Sequence, residues 1–195
     1  LDEDLPEQTK NYLTTAKEAA DSLLDLLNDI LDFSRMEAGK FTIENEPFHL
    51  RDTIDSAMKT VSGIAFNKGL ELACQLPPEI PDALIGDGDR IRQVIINLIG
   101  NAIKFTEQGE VVLKVSPVRI WPDEVRLKFS VSDTGVGISP ADQKNIFAAF
   151  AQADATITRD RGGVGLGLAI CSELLRQMGG KLTVKSQLGE GSTFS

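Results

Sequence analysis

Val125-Arg-Leu-Lys-Phe-Ser-Val-Ser-Asp133-Thr-Gly135-Val-Gly137-Ile138 carries the plainest structural message in this chain. Val125, Leu127, Phe129 and Val131 alternate with Arg126, Lys128, Ser130 and Ser132, the period of a strand with one face buried and one wet. The alternation stops at a carboxylate, and two glycines follow. A strand end opening into a glycine turn is a common place for a ligand, although Asp before Gly is also ordinary turn chemistry. Upstream, Leu70, Leu72, Cys74 and Leu76 repeat the alternation, and 110–115 and 181–185 read as further strands. Helical periodicity fills the intervals over 51–66, 89–105, 140–147 and 167–178. Ser139-Pro140-Ala-Asp142 offers the third of these a capping box, and Gly179-Gly180 gives the fourth a left-handed stop. One-sided strands with helices grouped between them predict an α+β sandwich, a mixed or antiparallel sheet covered by helices on one face.

At 195 residues the chain has room for one ordinary domain and an appendage. Its net charge of −9 argues against nucleic acid as a partner, since no basic stripe exists to neutralise a phosphate backbone. Cys74 and Cys171 lack CxxC spacing and a neighbouring His, so they read as small core residues of a reducing compartment. No apolar run approaches the about 20 residues that span a bilayer, and no signal peptide is visible. The expectation is a soluble, cytoplasmic stretch of a larger protein that itself stays free to be membrane-anchored. No internal repeat stands out.

The appendage is N-terminal. Leu13, Ala16, Ala20, Leu23, Leu27, Ile30 and Ser34 recur at spacings of three and four, a heptad seam that Leu24, Leu26 and Leu31 widen. Pro6 suits the entry turn and Gly39 the stop. One reading is an amphipathic helix lying on the domain that follows; the favoured one is a helix of a dimeric four-helix bundle. The domains are therefore drawn as 1–40 and 41–195.

Three further segments carry chemistry. In Asn97-Leu-Ile-Gly-Asn101-Ala-Ile-Lys104-Phe105-Thr106, a rotation of about 100° per residue places Arg90, Asn97, Asn101 and Lys104 in one stripe. The rest of that helix is apolar. Asn is a mediocre helix former, but its amide oxygen is a hard ligand suited to Mg²⁺, and Lys104 offers a charge to a phosphate; a solvated face fits equally well. Gly162-Gly163-Val164-Gly165-Leu166-Gly167-Leu168 leads into a helix, so free N–H groups gather at a positive dipole end. No GK[ST] follows, which excludes a Walker loop, and no βαβ unit frames it as a Rossmann fingerprint. The preceding 148–161, anchored by Phe147 and Phe150, has the composition of a lid, with Arg159 and Arg161 either free to meet a terminal phosphate or simply solvated. Gly189-Glu-Gly191-Ser-Thr193-Phe194 completes the set. Carboxylate, amides and bare backbone together suit a magnesium nucleotide.

The order of these segments resembles the catalytic and ATP-binding region of two-component sensor histidine kinases, part of a superfamily that includes DNA gyrase, a heat-shock chaperone family and a mismatch-repair ATPase. Residues 97–106 look like the N box, 133–138 the G1 box, 147–150 the F box, 163–168 the G2 box and 189–193 the G3 box. Residues 13–34 with Arg35-Met-Glu-Ala-Gly39 look like the second helix of the dimerisation and phosphotransfer domain and its exit linker. The resemblance implies Asn101 as the Mg²⁺ ligand, with Asn97 and Lys104 at the phosphates. It implies Asp133 at the adenine amine, with Gly135 and Gly137 allowing close approach. It places Gly163, Gly165, Leu166, Gly167 and Leu168 along the phosphates, Phe105 beside the nucleotide and Thr193 near the adenine. It further implies ATP or ADP as ligand, a homodimer through the N-terminal helix, and a response-regulator receiver domain as the final acceptor.

Departures are also visible. The family's phosphoacceptor histidine lies on a helix not among these residues, and the single histidine is His49. Val164 stands where Thr is common, and Ala148-Ala149-Phe150 replaces an acidic-Pro-Phe pattern. The ATPases of the superfamily carry a water-polarising glutamate one turn before the metal-binding Asn. Here that position is Asn97, and an amide is no general base. A histidine kinase is preferred over an ATPase switch, with a non-catalytic nucleotide-binding module as the third reading.

Overall fold

The computed structural model describes residues 6–38, 41–150 and 165–195. The chain divides into two units, Leu1–Phe41 and Thr42–Ser195.

The first unit is a single helix, α1, Glu7–Glu37. Pro6 precedes it in an extended conformation, and its carbonyl accepts the Thr9 and Lys10 N–H groups at 2.8 and 3.0 Å, so the proline starts the first turn. Ala38 closes the other end by donating to Ser34 O, and Gly39 lies outside the described residues. Leu13, Leu23, Leu27 and Ile30 of the seam are exposed, as are Leu24 and Leu31.

The second unit begins with β1 (Glu46–His49) and α2 (Leu50–Asn67), whose Leu50, Ile54, Ala57, Val61 and Ala65 are buried at spacings of four and three. Asp82 starts α2: its carbonyl accepts the Leu50 N–H and its Oδ1 the Arg51 N–H, at 2.9 and 2.8 Å. Then follow β2 (Glu71–Gln75), β3 (Ala83–Gly86), α3 (Gly88–Phe105), β4 (Glu110–Ile120) and β5 (Val125–Asp133). A 3₁₀ turn at Asp142–Lys144, α4 (Gly167–Gln177), β6 (Val184–Gln187) and β7 (Gly191–Phe194) complete the described elements. β1 and β3 form an antiparallel pair, and the main sheet runs β2-β4-β5-β7-β6. Only β2 and β4 are parallel within it, so the sheet is mixed, as the alternation patterns implied.

Val111, Leu113, Val115, Val131 and Phe194 are buried on one face of that sheet, and α3 packs against β4 and β5 with α2 and α4 on its flanks. A one-residue slip of β4 would send Val111, Leu113 and Val115 to solvent at about 1.5–3 kcal/mol each. Register is thereby fixed by burial.

Four expectations are corrected. The helix expected over 140–147 is only a 3₁₀ turn. Its cap does form, since Ser139 Oγ accepts from Asp142 N–H at 3.1 Å and donates to the Asp142 carboxylate at 2.7 Å. After Ile146 the next donor, Ala148 N–H, reaches back only to Asn145, and Phe147 turns edge-on to Phe194 instead of continuing a helix. β4 extends to Ile120 past a register shift at Pro117, where the residues are exposed and pairing alone holds the strand. β6 sits three residues later than expected, because the Gly189–Glu190 turn sets its pairing with β7. Cys74 is exposed on the edge strand β2, whereas Cys171 is buried.

Candidate functional site

The site is built on α3. Asp87 opens the helix with Oδ1 accepting from Arg90 N–H at 3.0 Å, while its Oδ2 takes the Glu44 N–H. The apolar side of α3, Val94, Ile95, Leu98, Ile99, Ala102 and Ile103, is buried. That burial fixes where the remaining stripe points. At the far end, Lys68 Nζ donates to the carbonyls of Ile103 and Lys104 at 2.6 and 2.9 Å, a cation on the negative pole of the dipole.

Three contacts bring the four sequence segments together. The first joins α3 to the turn after β5. Val136 N–H donates to Phe105 O at 3.3 Å, and a Cβ on Gly135 would stand 2.5 Å from the same oxygen, so only glycine fits there. The second joins β5 to β7. Asp133 Oδ1 accepts from Gly135 N–H at 2.9 Å and Ser192 N–H at 3.2 Å, with both bonds on one oxygen. A Cβ on Gly191, whose φ is +97°, would meet the Asp133 carbonyl. The third joins α3 to α4: a Cβ on Gly167 would lie 3.9 Å from Asn97 Nδ2. Asn97 therefore faces the start of α4, Asp133 the end of α3, and about 12 Å of helix separates Asn97 from Phe105.

Asn97 is not on a solvated face. Its Nδ2 is buried and finds no hydrogen-bond partner among the described residues. An unpaired buried donor costs about 1–3 kcal/mol, so this amide is set for an acceptor that arrives from elsewhere. Asn101 and Lys104, four and seven residues on, are half-buried on the same stripe. Burial lowers the Lys104 pKa, and its Nζ lies 5.2 Å from the Phe105 ring centroid. Burial also raises the pKa of the Asp133 carboxyl, against the opposing pull of the Gly135 and Ser192 N–H groups. Both groups are thus partly desolvated, which disfavours their charged forms.

The remaining expected residues fall as follows. Gly165 has φ +76° and accepts the Phe150 N–H at 3.1 Å; Leu166 is buried and Gly167 and Leu168 open α4. Gly163 and Val164 lie outside the described residues, as do Arg159 and Arg161. Gly137 allows a close approach, but of the protein itself: a Cβ there would strike Gln187 O. Thr193 lies apart from the Asp133 side chain. The register pairs it with Ser132, and their hydroxyls bond at 2.9 Å on the sheet face opposite the Asp133 side chain. The residue that meets Asp133 is Ser192, which the sequence patterns do not single out; the alternation of β7 from the buried Phe194 was the available signal.

Residues 86–195 match the model of the family described as histidine kinase-, DNA gyrase B-, and HSP90-like ATPase. The chain belongs to that family. Residues 1–39 match a second model, the His Kinase A (phospho-acceptor) domain. The signal transduction histidine-protein kinase BarA of Escherichia coli (strain K12) is 43% identical over 194 residues, covering 100% of this chain and 21% of BarA. The sensor histidine kinase GacS of Pseudomonas protegens is 44% identical over 184 residues, covering 94% of this chain and 20% of GacS. The chain thus spans about a fifth of the length of the relatives it matches. Among solved structures, full-length ShkA in complex with AMPPNP superposes with a TM-score of 0.79 at 38% identity, over 98% of this chain and 39% of ShkA. No helix among the described residues is long and apolar enough to cross a membrane.

Proposed function

We propose that this chain is the ATP-binding catalytic region and part of the dimerisation region of a histidine autokinase in a two-component system. The observation that carries the reading is the buried, unpartnered Asn97 amide, held beside Gly167 at the start of α4. A buried amide donor with no acceptor among the described residues fits an anionic ligand. Asp133 at the other end of the stripe supplies the acceptor that an adenine amine needs. Asn97 and Lys104 hold phosphate oxygens, with the N–H groups of Gly165, Gly167 and Leu168 at the dipole end of α4. The half-buried Asn101 amide oxygen is the ligand for Mg²⁺, which when bound neutralises phosphate charge. Asn97 sits where the related ATPases place a carboxylate, so the chain directs no water at the γ-phosphate, and transfer to an imidazole is favoured over hydrolysis.

The chain's residues bind and orient the donor; the imidazole comes from a histidine other than His49 and passes the phosphoryl group to a receiver-domain aspartate. The exposed Leu13, Leu23, Leu27 and Ile30 of α1 form the seam of a homodimeric bundle. Calorimetry of ATP binding with and without Mg²⁺ tests the site. Asn101→Ala is expected to weaken binding with Mg²⁺ far more than without it, and an equal loss in the two conditions would remove Asn101 from the metal.

A further inference from the structure

We infer that Ser186, on β6, is a positioning residue that sets the site's preference for a 6-amino purine over a 6-oxo purine by fixing which way the Ser192 hydroxyl points. The inference rests on the reading that the base sits at Asp133. Ser186 Oγ has three partners: it accepts the Ile138 N–H at 2.7 Å, donates to Gly191 O at 2.8 Å, and lies 2.9 Å from Ser192 Oγ. A hydroxyl has one proton and two acceptor positions. The proton goes to Gly191 O, since a carbonyl can only accept, and one acceptor position takes the Ile138 N–H. The Ser192 bond must then be donated by Ser192. Its proton is committed to Ser186, and its oxygen keeps only acceptor capacity.

That polarity matters because of where Ser192 stands. Ser192 pairs with Asp133 across the β5–β7 ladder and with Ser186 across β7–β6, so the three side chains share one sheet face. Ser192 also gives its N–H to Asp133 Oδ1, and Ser192 is buried. The second carboxylate oxygen and the Ser192 hydroxyl oxygen are then both acceptors on that face. An amino group satisfies them; a carbonyl oxygen at the same ring position is repelled. Gln143 keeps Ser186 in place. Its Nε2 donates to Ile138 O and Ser186 O at 2.8 and 2.9 Å, and two carbonyl partners leave no choice of amide orientation. The turn after β5, the β6–β7 hairpin and the 3₁₀ turn are thus joined at one residue, the first two through the Ser186 hydroxyl and the third through its carbonyl.

Removing the Ser186 hydroxyl frees the Ser192 proton to turn toward the base and donate to a 6-oxo group. The test is the affinity of the chain for ATP and for inosine triphosphate, which differ at the purine 6-position by amine against carbonyl. Wild type is expected to prefer ATP, and Ser186→Ala to narrow that ratio about tenfold, with part of the change a gain in inosine triphosphate affinity. Ser186→Thr, which keeps the hydroxyl, should restore the wild-type ratio. A purely structural role lowers both affinities in proportion and leaves the ratio unchanged, which overturns the inference. Should Ser186→Ala fail to fold, Ser192→Ala serves: it keeps the N–H to Asp133 but deletes the oriented oxygen, and an unaltered ratio there is equally fatal. Wild type that binds neither nucleotide sinks the nucleotide site itself, and this inference with it. Wild type that prefers ATP, with a ratio unmoved in the variants, sinks only the role of Ser186.

Discussion

Asp133 shows how one carboxylate can oppose folding at a position proposed to bind a ligand. Burial raises its pKa, and the N–H groups of Gly135 and Ser192 only partly offset this. A carboxylate whose folded pKa lies above its unfolded value is worse off charged in the fold. Its contribution is therefore favourable below the unfolded pKa and is lost as pH rises through the folded one. At neutral pH the charge is a cost. Asp133→Asn removes it and keeps an oxygen for both N–H donors. The thermal midpoint of the unliganded variant should match or exceed wild type, while ATP affinity falls by about 1–3 kcal/mol, because the new amide can present a donor to the adenine amine. Calorimetry and a melting curve on the same sample check both halves; undiminished affinity would take Asp133 out of the site. Residue type and spacing alone mark this position in the sequence, as they mark Asn97 and Lys104. Ser192 is not legible in the same way. A Ser and a Thr side by side on a strand point to opposite faces, and only the pairing with Asp133 and Ser132 reveals which one shares the face of Asp133.

Among the elements, those that bury a periodic apolar set were legible: α2, α3, α4 and β5 fall within one or two residues of where their patterns put them. The short strands were not. β1, β3 and β7 have four residues each, and β1 and β3 are held by pairing more than by burial, so they leave little period to read. The turn at 139–147 teaches the same thing from the other side: a capping box marks where a helix can start, and tertiary contacts such as Phe147 on Phe194 determine whether it continues. Two predictions belong to this scale. Lys68→Met removes a cation from the last carbonyls of α3 and should cost about 1 kcal/mol in denaturant unfolding; no change would mean that the α3 terminus is satisfied without it. On α1, Leu23→Glu together with Leu27→Glu puts charge into the exposed seam. In the full-length protein this pair should abolish dimers in sedimentation while leaving ATP binding intact, and persistent dimers would refute a bundle built on that seam.

Across the whole chain, the proposed function separates donor from acceptor chemistry, and His49 is where that separation can be tested. It is the only histidine in the 195 residues. Its Nδ1 lies 3.0 Å from Asp82 Oδ2, and the other Asp82 oxygen takes the Arg51 N–H. The Arg51 N–H and the imidazole hold the Asp82 carboxyl below its usual pKa. His49 thereby belongs to the group that opens α2, with Arg51 also reaching Ile80 O. Phosphoryl transfer needs a ring nitrogen in line with the γ-phosphate. The proposed site lies on α3, Asp133 and the start of α4, and the three contacts that join these segments do not involve β1, which carries His49. The chain should therefore bind ATP without phosphorylating itself. Adding a separate polypeptide that carries a helix with the family's phosphoacceptor histidine should give acid-labile label on that polypeptide alone, provided the bundle assembles from its pieces. Labelled ATP, followed by acid treatment and peptide mapping, reads the outcome directly. Acid-labile label on the peptide containing His49 would place the acceptor inside this chain, and the division of labour argued for it would be wrong.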